Sequence, residues 1–132
     1  MKEVAIQFGQ SLDADAFDVT MKLLSQDCKY VIGEDVLIGP KDICQSYEQN
    51  MIEGRKKLDE LEWGKSNIET INDAEYYVHF TDYLTHKGEK YTHRCKQKLH
   101  VNTDGLIDSI VHIHDQEEQD RLNAYYRKVG LL

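Results

Sequence analysis

Between Tyr76 and His114 apolar and polar residues alternate in three runs separated by two turn-type segments, the pattern of three consecutive antiparallel strands. The first break is Lys87-Gly88, with a glycine to supply the positive φ that a primed hairpin turn requires. The second is Asn102-Thr103-Asp104-Gly105, residue types that tolerate a left-handed backbone. A Lys87-Gly88 loop sets Asp82 opposite His93, Phe80 opposite Cys95 and Val78 opposite Gln97. A Thr103-Asp104 loop sets His93 opposite His114, Cys95 opposite His112 and Gln97 opposite Ile110. These nine residues then share one face, because side chains alternate along a strand. A three-residue second loop would slip the third strand by one and bring Ile107, Val111 and Ile113 to that face instead.

The remaining chain predicts a helix over residues 2–10, a break at Ser11–Asp15 and a helix over 14–25, with Asp13 or Asp15 as its cap. Short strands at Tyr30–Ile32 and Val36–Ile38 flank the Gly33-Glu34-Asp35 turn. Gly39-Pro40 starts a helix that runs to about Lys57, with Ile43, Tyr47 and Met51 on one face. Residues 60–72, with Trp63, Ile68 and Ile71, read as one strand. Asp115 to Glu118 opens a last helix, ending at about Val129, whose buried stripe is Leu122, Tyr125, Tyr126 and Val129. Helices first, strands from the middle on and a closing helix predict an α+β fold, with helices on one face of an antiparallel sheet.

At 132 residues the chain fits one domain with one core, spanning 1–132. A net charge of −8 disfavours nucleic acid as a partner, since phosphate binding needs a basic face. No apolar run approaches the roughly 20 residues of a membrane span. No signal-peptide pattern opens the sequence, so the expected location is cytoplasmic. Cys28, Cys44 and Cys95 form neither a disulfide framework nor a CxxC zinc motif, and read as reduced, buried thiols.

The layout resembles the nuclear transport factor 2-like superfamily, also called SnoaL-like or ketosteroid-isomerase-like. The resemblance rests on Leu12-Asp13-Ala14-Asp15 leading into Phe17, on Leu24 to Tyr30, on Leu37-Ile38-Gly39-Pro40-Lys41-Asp42-Ile43, and on Asn102-Thr103-Asp104-Gly105-Leu106-Ile107. It covers residues 3–115 and leaves the final helix as an extension. It implies a cone: a strongly curved sheet wrapped around helices, with a pocket in the wide end. Members include isomerases, cyclases, dehydratases, epoxide hydrolases and transport factors, so fold alone does not give function. The ketosteroid isomerase positions are not kept here. Its base falls on Ile32, its oxyanion-hole tyrosine on Phe8 and the partner acid on Gln97, which excludes that activity. The acid/base aspartate of the polyketide cyclases falls on His112. His93, His112, Tyr30 and Tyr47 are similar in kind to the pocket groups of the scytalone dehydratase type.

The candidate acid/base groups are therefore His112, Asp82 and His93, since imidazole moves protons near neutral pH and a nearby carboxylate orients it. A self-satisfied polar row at the rim of the cone is the competing reading. Tyr30, Ile32, Tyr47, Trp63, Phe80, Cys95, Gln97, Ile110 and His114 are the expected ligand-lining set, for an apolar, polar-tipped organic molecule. Asp82, His93 and His114 could also ligate a metal, although no motif marks them and neither metal nor cofactor is expected. Cys95 beside His112 would make an activated thiol pair. Outward-facing Ile107, Val111 and Ile113, with Tyr77 and Tyr83, suggest a convex apolar patch, and the resemblance implies a homodimer through that face. The expected function is small-molecule binding, as a cofactor-free lyase, isomerase or hydrolase, or as a non-catalytic ligand-binding or dimerisation module.

Overall fold

The computed structural model describes all 132 residues. Seven strands form one sheet in the order β2-β1-β7-β6-β5-β3, with β4 also paired to β5. They are β1 (Leu24–Ile32), β2 (Asp35–Ile38), β3 (Glu60–Trp63), β4 (Asn67–Thr70), β5 (Glu75–His86), β6 (Glu89–Val101) and β7 (Ile107–Ile113). Four helices accompany them: α1 (Lys2–Asp13), α2 (Phe17–Leu23), α3 (Pro40–Lys57) and α4 (Gln116–Lys128). The architecture is α+β. Every strand pair is antiparallel except β1 with β7, which is parallel and draws the front of the chain against its last strand.

The long β5–β6 hairpin has the expected register, with Asp82 opposite His93 and Val78 opposite Gln97. Lys87 and Gly88 have φ of 51° and 78°, the two positive values of a primed turn whose twist matches the strands it joins. The β6–β7 register differs from expectation. The connection is five residues long, 102–106, with Asn102 Oδ1 accepting from the Asp104 and Leu106 N–H groups. A β-bulge follows, because Val101 pairs with Ile107 but His100 pairs with Ser109, leaving Asp108 as the extra residue. Gln97 therefore faces His112, and Leu99 faces Ile110. Cys95 does not face His112, and His93 does not face His114, because β7 ends at Ile113. The longer loop and the bulge cancel in parity, so His112 keeps the inward face. Ile107 is corrected from outward patch to fully buried core, alongside Ile110 three residues on.

The predicted strand over 60–72 is two strands split at Gly64-Lys65-Ser66. A Cβ at Gly64 would stand 3.2 Å from Thr81 Cβ, so the chain crosses too close to β5 for a side chain. The helices α1 and α3 pack on the sheet around a core of Phe8, Ile43, Val78, Leu99, Ile107 and Ile110. A second cluster of Leu58, Leu84, Tyr125 and Val129 seats α4 against the hairpin end of β5 and β6. Thus α4 reaches the stretch of β6 that β7 is too short to flank.

Candidate functional site

The inner face of the sheet and the helices enclose a cavity of about 260 Å³. From β1 come Tyr30 and Ile32, from α3 Tyr47, Asn50 and Met51, and from β3 Trp63. The long strands supply Phe80 and Asp82 from β5, Cys95 and Gln97 from β6, and His112 from β7. Alternation places all five on one face, with the bulge at Asp108 keeping His112 among them.

One side of the cavity is a closed polar network. The Tyr47 hydroxyl donates to Gln97 Oε1 at 2.6 Å, and Gln97 Nε2 donates to the Tyr30 hydroxyl at 2.8 Å. The two tyrosine rings stack with centroids 5.1 Å apart. Burial pushes the Tyr30 hydroxyl up to about 12 and Tyr47 well above its ordinary value, so both hydroxyls stay protonated.

Asp82 sits between Trp63 on β3 and His93 on β6, its cross-strand partners. No side-chain hydrogen bond reaches its carboxyl group. Burial pushes that carboxyl up from 3.8 to about 6, His93 pulls it down, and the Asp13 carboxylate adds to the rise. His112 likewise has no hydrogen-bond partner. Burial lowers its pKa below 6.5, with His114 and His93 acting in the same direction, so it is a neutral imidazole at physiological pH. Burial pushes the Cys95 thiol up to about 12, with Asp82 and Glu118 adding, which is the opposite of an activated thiolate.

Two further carboxylates line the cavity from the segment expected to cap α2. The N-cap of that helix is Ala16, without a side-chain cap. Asp13 instead accepts from Ser66 N and Ser66 Oγ, each at 2.8 Å. Asp15 accepts from Trp63 Nε1 at 2.7 Å and Arg55 Nη1 at 2.8 Å. Nothing local in Leu12-Asp13-Ala14-Asp15 marks this role, because the partners lie 40 to 53 residues away.

His93 is held from the other side. Its Nδ1 lies 2.8 Å from Glu118 Oε2 on α4. Glu118 also accepts from the Tyr91 hydroxyl and, at 3.0 Å, from Arg121 Nη2. Burial alone would raise the Glu118 pKa, but the bonds from Tyr91, His93 and Arg121 outweigh it and hold the carboxyl below 4.5. The carboxylate that orients His93 is thus Glu118, a residue the strand pattern does not point to.

Ile110 is fully buried in the core below the cavity. His114 lies beyond β7, exposed and 2.9 Å from Gln116 Oε1. It lines a second, more polar cavity of about 370 Å³ at the end of β7, together with His93, Arg94 and Glu118. The two cavities share Phe80, Thr81, Cys95 and His112. The larger one contains neither Asp82 nor the tyrosine network, so the inner cavity is the candidate site. The trio Asp82, His93 and His114 is not assembled, and no three His, Cys, Asp or Glu side chains converge as a metal site.

No protein-family model and no curated protein sequence matches the chain. Solved structures do match in fold. A candidate polyketide cyclase from Xanthomonas campestris pv. campestris superposes with TM-score 0.68 at 12% identity, over 89% of this chain and 92% of that one. An LEH-like epoxide hydrolase of M. tuberculosis gives 0.63 at 16% identity, over 90% and 85%. SalBIII, an epoxide hydrolase/cyclase-like enzyme in pyran ring formation in the polyether salinomycin, gives 0.66 at 13% identity, over 89% and 92%. Identities this low establish a shared fold. No helix is long and apolar enough to cross a membrane.

Proposed function

Taking the chain as one with the nuclear transport factor 2-like cone fold, we propose that it is a cofactor-free acid/base enzyme for a small organic molecule. The observation that carries this reading is a contrast within one cavity. Asp13, Asp15, Tyr30, Tyr47 and Gln97 are all held by protein partners, while Asp82 and His112 face the space with none. A carboxyl group at about 6 and a neutral imidazole are a complementary pair, each able to give or take a proton near neutral pH. Such a pair suits a lyase, isomerase or hydrolase step on a substrate whose apolar body lies against Trp63, Phe80 and the tyrosine stack. The polyketide cyclase-like and epoxide hydrolase-like fold neighbours support the reaction range without fixing the step. In this reading His93 supports Asp82 as a cross-strand neighbour, held by Glu118.

The test uses a small-metabolite extract, mass spectrometry and Trp63, the only tryptophan. A compound consumed by the wild type should persist with Asp82→Asn and with His112→Ala, while still quenching Trp63 fluorescence in both. Equal consumption by all three proteins sinks the catalytic reading. Quenching by a compound that no form consumes favours the second reading, a non-catalytic ligand-binding module. Self-satisfaction of the Tyr30–Gln97–Tyr47 network is the feature that speaks for that alternative.

We also propose a homodimer through the convex face, where Val36 and Ile38 are 52% and 55% exposed beside Val31 and Val111. Sedimentation as a monomer at micromolar concentration would end that proposal. Three free cysteines fit a reducing, cytoplasmic location.

A further inference from the structure

The cavity has a charge character that its chemistry alone does not require. Its lining includes the carboxylates Asp13, Asp15 and Asp82 and not one lysine or arginine. The nearby cation, Arg55, is 2.8 Å from Asp15 and stands outside the lining. The walls between these acids are aromatic: Phe17, Tyr30, Tyr47, Trp63 and Phe80. Aromatic faces carry negative electrostatic potential and attract organic cations, most strongly when both are removed from water. Carboxylates in a recess with low-dielectric walls concentrate cations and exclude anions. Asp13 and Asp15 have protein partners, whereas Asp82 lines the space with no side-chain hydrogen bond.

We propose that the ligand of the inner cavity is an organic amine: an aromatic or alicyclic body bearing a protonated nitrogen that pairs with Asp82. This rests on the reading of the inner cavity as a small-molecule site, and adds the substrate class. An ammonium beside Asp82 favours its ionised form, so binding near pH 6 expels the proton that burial and Asp13 retain there. The other titratable groups facing Asp82 are His93 and Cys95 on β6 and Tyr126 on α4.

Three matched probes test the class: phenethylamine, phenethyl alcohol and hydrocinnamate, which put an ammonium, a hydroxyl and a carboxylate on one phenyl body. Trp63 fluorescence at neutral pH and low salt reads their affinities. The amine should bind about tenfold tighter than the alcohol, the carboxylate weaker than both, and the amine's advantage should shrink as salt is added. Asp82→Asn should bring the amine to within about twofold of the alcohol and leave the alcohol unchanged. Calorimetry in two buffers near pH 6 should show proton release with the amine that Asp82→Asn abolishes. Equal affinities, a preference for hydrocinnamate, or an amine preference that survives in a folded Asp82→Asn protein overturns the amine inference and leaves the site. Failure of all three probes at millimolar concentration overturns the site itself.

Discussion

His93 Nδ1 and Glu118 Oε2 are 2.8 Å apart, joining the middle of β6 to the first turn of α4. Because Glu118 is held in its ionised form it can only accept, so the proton of this bond sits on His93 Nδ1. The Nε2 of a neutral His93 is then the free acceptor. A helix that the fold resemblance leaves as an extension therefore sets the tautomer of a residue beside the candidate site.

Replacing Glu118 with Ala removes the shared acceptor of His93, Tyr91 and Arg121 at a buried position. Chemical denaturation should show a loss of about 2–3 kcal/mol. Since the folded pKa of Glu118 is depressed, its contribution is complete above the ordinary 4.5 and is lost as pH falls through the lower folded value. Wild type and variant should converge in stability in that acid range.

Asp82 has the opposite sign. Its folded pKa is raised, so the unfolded chain gives up this proton first, and wild-type stability falls between pH 3.8 and about 6. Asp82→Asn removes that slope. At neutral pH the variant should be more stable by up to about 3 kcal/mol while losing the proposed activity, the exchange expected of a functional group held at a cost to stability. Equal pH–stability curves for the two proteins would show that Asp82 ionises freely.

His112 should titrate below 6.5, read from its Cε1 proton by NMR. A lowered imidazole pKa contributes stability that is full above 6.5 and is lost as pH falls through the folded value. A ligand that fills the cavity and excludes water further should depress the midpoint more, unless it carries an acid group onto the ring.

Gly9 in α1 is a steric probe of the Asp13 position. A Cβ there would stand 2.4 Å from Ser66 Oγ and 3.3 Å from Val78 Cγ2. Gly9→Ala should cost about 1–3 kcal/mol in thermal or chemical unfolding. It should also displace Ser66 from Asp13 and alter Trp63 fluorescence through the linked carboxylate segment.

The Tyr47→Phe change tests the inner network. It leaves Gln97 Oε1 without its 2.6 Å donor at a residue only 4% exposed. The expected loss is about 1–3 kcal/mol, with the amide free to turn its oxygen toward the cavity.

The parts of this structure that were readable in the sequence are those governed by neighbouring residues. Lys87-Gly88 specifies its own turn, and with it every pairing from Glu75–His100 to His86–Glu89. Gly39-Pro40 starts α3 on the expected residue, and Asp115 caps α4 through the Glu118 N–H. The pairing of β7 was not readable, because an extra residue at Asp108 is invisible until Ile107 and Ile110 are both seen to be buried. Trp63 and Asp82 share the site because β3 pairs with β5, whereas Asp13 enters it, and Glu118 holds His93 beside it, through distant contacts that leave no local periodicity. His112 and Asp82 were legible as inward groups, but the absence of protein partners for them emerges only in three dimensions.

The parallel pairing of residues 24–31 with residues 107–111 also dictates an order of assembly. On the ribosome, α1 through β2 emerge long before β7 exists to receive β1. The β5–β6 hairpin can close locally, but the sheet cannot take up its first strands until nearly the whole chain is out. Long-range parallel closure of this kind is slow, and leaves apolar edges bare in the interval. Refolding should therefore show an early hairpin phase and a later step in which β1 docks, with the cavity forming only in the second. Truncation before Ile107 would leave β1 and β2 with no strand linking them to the rest of the sheet.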